Sequence, residues 1–436
     1  MSWVTRHRLK LYFRNSIWIF PVFSIAAALI VVSLLSRLER AFGWEMNVSP
    51  ETARIIMGTV AASMFSLVVV GSSAVLLAVQ LASAQLTPRI ITLIYRNSIL
   101  KFSLSIFVFT FTFSVAVLVR IEQTVPLLTG YLAAYGFLIN LAMFLFFIDG
   151  IGKTLRPSSA SRSVALEGRN VILNVYPLRY DAQDLHPPEQ NLPPDQAPTH
   201  VTQSEEDGAV LAFDLNGLVS LAERANCLIE LVPQVGDFVA AGDPLFRIYG
   251  YGKTISDDTL RSSIALGPER TLEQDPMFAF RILVDIASKA LSPAINDPTT
   301  AVLSIDQIHH LLRAVGSHHL GNGREQDRKG QVRLIYRTPD WEDFVYLAVT
   351  EIRQYGRDSI QVMRRLRAMI ENLSETLPER RAPLLRHQLQ LLGSSSKRIF
   401  LDADDQILAE TGDLQGMGGA HDEIRTLNEK KVTAVS

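Results

Sequence analysis

The sequence predicts a membrane α-helical fold, with four transmembrane helices followed by an α+β cytoplasmic domain that contains a small barrel-sandwich-like β module and a helical C-terminal part. Three observations predict it. Hydrophobic residues make up 48% of the 436 and charged residues 20%, which excludes disorder, collagen and coiled-coil rods as whole-chain descriptions. The apolar content is uneven, because nearly all the long charge-free runs lie before Asp149. Beyond it, short β segments punctuated by glycine give way near Thr271 to helical apolar periodicity.

Crossing roughly 30 Å of hydrocarbon takes about 20 residues at a rise of about 1.5 Å each. The run Ile17 to Leu35, with Pro21 near its start, predicts a helix at about 17–36. From Ile55 to Pro88 the chain carries no charge, predicting a helix at about 55–86. That length exceeds one crossing, so the helix tilts or projects an end into water. Phe102 to Val119 and Val125 to Ile148 predict helices at 102–119 and 125–148, a hairpin joined by a short connector. The membrane domain thus occupies residues 1–156.

Basic residues near the helix ends set the orientation. Arg6, Arg8, Lys10 and Arg14, then Arg89, Arg96 and Lys101, then Lys153, Arg156 and Arg162 all fall on one side. On the other, Arg37, Arg40 and Arg54 are diluted by Glu39, Glu45 and Glu51, and the second connector has only Arg120. Both termini are therefore expected in the cytoplasm. The first apolar run is too long for a secretory leader, and its small-residue patterns near Ser24, Ala26 and Ala28 lie inside it, so it reads as an uncleaved helix.

In the second helix Ser66, Ser73 and Gln80 recur at steps of seven, with Thr59 and Ser63 one to two turns earlier. That step keeps them on one face. Small and hydroxyl residues let helices approach and bond to one another; equally, polar side chains face a wet path without the cost of facing lipid. Both readings, helix packing and pore lining, stand at this point.

Residues 157–207 read as a Ser-rich hinge (157–163), a strand around Val171, Leu173 and Val175, and an exposed linker whose prolines include Pro187, Pro188, Pro193, Pro194 and Pro198. Residues 208–255 read as the β module, with Gly236-Asp237 and Gly242-Asp243 as turns. Their spacing resembles the hammerhead of lipoyl and biotinyl carrier domains, but no lysine stands at a hairpin tip, so carriage of such a group is not expected. Residues 256–410 read as mainly helical. Asp275-Pro276 and Asp297-Pro298 each set a capping acceptor before a proline at the first helical position. A strand from Gln331 to Tyr336 precedes a third start at Thr338-Pro339-Asp340, whose helix reaches about Ile370. Residues 411–436, Gly-rich and polar, read as a flexible tail.

Chemistry is sparse. The acidic set Glu273, Asp275, Asp285, Asn296, Asp297 and Asp306 lacks the regular ligand loop of a calcium motif, and His309-His310 and His318-His319 lack the spacing of a helical zinc pair. Arg353, Arg357, Arg364, Arg365 and Arg367 read as a solvated face or a subunit contact. No phosphate loop, dinucleotide fingerprint, nucleophile elbow or HExxH occurs. A net charge of -2 offers no electrostatic case for nucleic acid, and the single cysteine, Cys227, excludes a disulfide framework or a CxxC site. No catalytic residue, metal or cofactor is expected.

The runs Gln80 to Arg89, Arg270-Thr271-Leu272-Glu273-Gln274-Asp275-Pro276 and Ala290 to Ala301, together with Trp341-Glu342-Asp343-Phe344, resemble the bacterial predicted-membrane-protein family called domain of unknown function 2254. The resemblance spans nearly the whole chain. It implies a four-helix membrane portion, a cytoplasmic domain and an inner-membrane location, and it carries over no activity. The expectation is a homo-oligomeric, channel-like or transport-associated protein with a cytoplasmic regulatory domain. The alternative is a non-conducting scaffold or sensor for a cytoplasmic protein partner, and a membrane-bound hydrolase is a third class.

Overall fold

The computed structural model describes residues 2–122, 125–180, 197–250 and 255–419. It separates into two units, Lys10–Ala160 and Met1–Leu9 with Ser161–Ser436. The first segments are α1 (Trp3–Asn15), α2 (Ile19–Phe42), α3 (Pro50–Gln85), the short α4 (Ile91–Arg96), α5 (Ser98–Leu118) and α6 (Leu127–Thr154). Of these α2, α3, α5 and α6 are long and apolar enough to cross a membrane.

Caps, rather than hydropathy, place the ends of these helices. Ser49 accepts from the Thr52 amide with Pro50 at the first position, so α3 begins five residues before the charge-free run. Asn97 accepts from Ile99 N and starts α5 at Ser98. The left-handed Gly43, at φ 67°, ends α2 past Leu35 at Phe42. At 36 residues and about 1.5 Å per residue, α3 is roughly 54 Å long.

The centre of this unit is α5, packed against α2, α3 and α6. Its buried Ser103, Thr110 and Ser114 are the small hydroxyl residues that let membrane helices approach closely. The α3 face turned to the bundle is Ala53, Met57, Val60, Ala61, Met64, Gly71, Val75, Ala78 and Ala82. At Gly71 a β-carbon would lie 3.4 Å from Leu104 and 3.6 Å from Phe147, so a small residue fits the contact.

The other unit contains most of α7 (Pro157–Val175), then β1 (His200–Gln203), β2 (Gly208–Phe213), α8 (Leu215–Ala225), β3 (Leu228–Leu231), β4 (Phe238–Val239), β5 (Pro244–Tyr249), α9 (Asp257–Arg261) and β6 (Ile264–Gly267). It continues with α10 (Pro276–Ala290), α11 (Pro298–Gly316), β7 (Arg324–Gln326), β8 (Val332–Tyr336), α12 (Trp341–Tyr355), α13 (Ile360–Thr376), α14 (Ala382–Ile399) and α15 (Ala403–Ala409). The strands form a five-stranded sheet ordered β1-β5-β3-β8-β7 and a three-stranded sheet ordered β4-β2-β6. All pairings are antiparallel except β3 with β8. Ile229, Leu231, Phe246 and Leu334 of the larger sheet, Val210 and Val239 of the smaller, and Leu218 and Ala222 of α8 share one core.

Five expectations change. Residues 157–175 are neither hinge nor strand but α7: Ala160, Val164, Ala165, Val171 and Ile172 are buried at helical spacing. The linker assignment fails at His200–Gln203, which pairs with β5; residues 181–196 lie outside those described. The 208–255 stretch is not a self-contained barrel-sandwich module. It includes α8, its strands divide between two sheets, and their partners β6 and β8 come from later in the chain; no closed barrel forms among the described residues. The helix from Trp341 does not run to Ile370: it stops at Gly356 and restarts at Ser359, whose side chain accepts from Val362 N. Residues 411–419 are packed rather than loose, since Arg364 donates to the Thr411 and Gly419 carbonyls at 3.1 and 2.9 Å and Asp413 is buried. The rest of the tail, 420–436, lies outside the described residues.

Candidate functional site

In the membrane unit the polar stripe faces away from its own bundle. At about 100° per residue, Thr59, Ser66, Ser73 and Gln80 lie nearly opposite the Met57, Met64 and Val75 packing face of α3. All four are exposed and Ser63 is half-buried. The Thr59 and Ser66 hydroxyls donate back to the Ile55 and Ala62 carbonyls at 2.8 and 3.1 Å. Packing of α3 on its own bundle therefore does not account for the four exposed side chains.

Buried polar contacts occur elsewhere in the bundle. Asn140 Nδ2 donates to Thr110 Oγ1 at 2.7 Å and to the Gly136 carbonyl at 2.6 Å. Glu39, 4% exposed, accepts from Thr129 N at 2.9 Å and from the Thr129 hydroxyl, so a carboxylate from α2 caps the first turn of α6. Pro126, at the cap position itself, has no side-chain oxygen to offer. Arg54 similarly donates to the Ile121 carbonyl at 2.7 and 3.1 Å beyond the end of α5. In sequence Glu39 and Arg54 are only charges flanking the connectors; the groups they bond stand 67 to 90 positions away.

In the α+β unit a cavity of about 480 Å³ opens where the C-terminal end of α7, the starts of α8, α10 and α12, and β8 converge. Tyr176, Phe213 and Tyr336 are its aromatic walls, and Glu273, Asp275 and Glu325 its carboxylates. Asp275 is there because it caps α10, its Oδ1 accepting from Phe278 N at 3.1 Å. Its Oδ2 makes no hydrogen bond, with Arg270 Nε 3.3 Å away. Burial pushes this carboxyl up to about 6, against the opposing pull of Arg270 and the helix amides. Arg270 reaches Asp275 across Gly236, where any β-carbon would collide with the guanidinium and φ is 93°. Gln274 holds Phe213 at both ends, accepting from its amide at 3.0 Å and donating to its carbonyl at 3.1 Å.

Asn296 and Asp297 lie away from this cavity and form a corner between α10 and α11. Asn296 takes φ 49°, which asparagine tolerates better than most residues. Asp297 caps α11, accepting from Thr300 N at 3.1 Å and Thr300 Oγ1 at 2.5 Å. The remaining acidic candidates separate: Asp285 pairs with Arg281, which also forks onto Glu351 at 2.6 and 2.7 Å, and Asp306 pairs with Arg365 at 2.6 Å. His309 meets Asn372 at 2.9 Å and His318 the Ala314 carbonyl at 2.7 Å. No group of three or more His, Cys, Asp or Glu among the described residues is arranged to hold a metal. Arg364 and Arg365 are buried, not a solvated face.

Comparison with known proteins adds a family and no activity. A family profile described as a predicted membrane protein (DUF2254) matches residues 14–372. The chain is similar to the uncharacterized proteins Mb1321c of Mycobacterium bovis and Rv1290c of Mycobacterium tuberculosis, at 26% identity over 420 residues, covering 91% of this chain and 79% of each relative. No solved structure matches.

Proposed function

Starting from a chain that belongs to the predicted-membrane-protein family DUF2254, we propose that it assembles as a homo-oligomer of the bacterial inner membrane. In this reading the α3 helices of neighbouring copies face a shared axis, and Thr59, Ser63, Ser66, Ser73 and Gln80 line a polar path along it. The observation that carries this reading is the outward position of the stripe, opposite the face by which α3 packs on its own bundle. Leaving Ser73 and Gln80 against lipid has a cost that a wet path or a second copy removes. The α+β unit is cytoplasmic in this reading, as are both termini, and it regulates the path rather than catalysing a reaction.

Native mass spectrometry and light scattering of the detergent-purified protein are expected to give three or more subunits. Reconstituted bilayers are expected to carry a current that Ser73→Leu or Gln80→Leu abolishes. A monomer, or a wild-type bilayer that stays silent, overturns the conduit. One observation favours a scaffold instead: the Thr59 and Ser66 hydroxyls are already satisfied by their own helix and need no water. A scaffold predicts that the same leucine substitutions change assembly while no current exists to be lost.

A further inference from the structure

We propose that the cavity beside Asp275 binds a small organic ammonium ion, a cationic head on an apolar body. At about 480 Å³ the cavity is within the range of small-molecule sites, which are mostly apolar with a few placed polar groups. Its lining offers aromatic surface to a cation: the Phe213 and Tyr336 rings form a tilted pair with centroids 5.2 Å apart at 57°, and Tyr176 also lines the cavity.

The sign of the charge follows from what surrounds these rings. Three carboxylates, Glu273, Asp275 and Glu325, line the cavity against two guanidiniums: Arg270, 3.3 Å from Asp275, and the largely exposed Arg337, 3.3 Å from Asp237. The starts of α8, α10 and α12, whose positive ends would attract an anion, are each met by their own aspartate: Asp214, Asp275 and Asp340. The end of α7 that borders the cavity, at Asn174 and Val175, is a C-terminal end and therefore negative. The same carboxylates add to the rise of the two phenols, whose main cause is burial. Burial pushes Tyr176 up to about 12, against its hydrogen bond to Thr338, and Asp275 and Asp343 add to the rise. Burial and the adjacent Glu325 also raise Tyr336. An anion meets repulsion here; an ammonium gains carboxylates and ring faces together.

This site does not depend on conduction, so a silent bilayer leaves it standing. The test titrates the full-length protein in detergent with choline, and in parallel with its neutral isostere 3,3-dimethylbutan-1-ol, by isothermal calorimetry and thermal melting. Choline is expected to bind saturably and raise the melting temperature, with the isostere weaker by about tenfold. Glu325→Gln keeps an acceptor for the Tyr336 hydroxyl, which donates to Glu325 at 3.1 Å, and is expected to weaken choline by a similar factor at an unchanged melting temperature. Tyr336→Ala is the second variant, expected to weaken choline more than the isostere, because only the ammonium loses a cation–π contact. No saturable choline binding, equal affinity for the isostere, or full affinity in Glu325→Gln overturns the proposal.

Discussion

Among single residues, Asp275 has the clearest pH signature. Its folded carboxyl titrates near 6 because it is buried, whereas an unfolded aspartate titrates near 3.9. The folded chain therefore retains a proton that the unfolded chain has released. The associated stabilisation is fully present below about pH 4 and is lost as pH rises through about 6. The difference amounts to roughly 3 kcal/mol. Asp275→Asn keeps a capping oxygen and removes the titration, so its melting temperature is expected to fall less than that of the wild type between about pH 4 and pH 7. Parallel pH curves for the two proteins would refute the assignment. Asp297 is a cap of the ordinary kind, and Asp297→Ala is expected to lower stability by about 0.5–2 kcal/mol, read from the denaturation midpoint. Both caps were legible as Asp-Pro pairs, but which of them borders a cavity was not. Asp275 is brought to its wall by Phe213 and Tyr336, some 60 residues away on either side.

Among elements, α7 and α6 show how a helix depends on residues distant in sequence. Gly168 of α7 lies against α10 so closely that a β-carbon would collide with Ala279. Gly168→Ala is expected to cost about 1–3 kcal/mol by overpacking, measured by chemical denaturation. The apolar alternation of Val171, Leu173 and Val175 predicts a strand, and burial along a 3.6-residue period overrides that local pattern. For α6, the capping carboxylate is Glu39 of another helix. Glu39→Ala leaves the Thr129 amide buried and unpaired, an expected loss of about 1–3 kcal/mol. Glu39→Gln, which retains an acceptor, is expected to lose less in the same melting experiment. Charge tallies in connectors cannot reveal such a contact, since it is made only when α2 and α6 lie side by side.

At the scale of the whole molecule, residues 411–419 are part of the fold. Arg364 is fully buried and donates to carbonyls of this segment. Burial raises the Asp413 carboxyl, but the Gly418, Gly416 and Gln415 amides and Arg364 outweigh it and hold it below its usual range. Truncation after Glu410 strands the Arg364 guanidinium, and the shortened protein is expected to be less stable by about 3–5 kcal/mol, read from its melting temperature in detergent. An unchanged melting temperature would show the segment to be dispensable. The glycines that made this stretch read as loose, including Gly416 at φ 68° and Gly418 at φ 81°, supply the left-handed turns that wrap it around Asp413.

Four membrane helices, the long polar-striped α3, the Asp-Pro starts of α10 and α11 and the membership in a membrane family were all determined by the sequence alone. Each depends on neighbours within one turn or on a hydrophobic run, and such local physics is written in consecutive residues. Only the tertiary structure decided that the stripe faces outward, that the strands of 208–255 complete two sheets with partners as distant as β8, and that carboxylates and aromatic rings meet in one cavity. Those outcomes depend on which surfaces bury one another, and that choice is settled by packing over the whole chain.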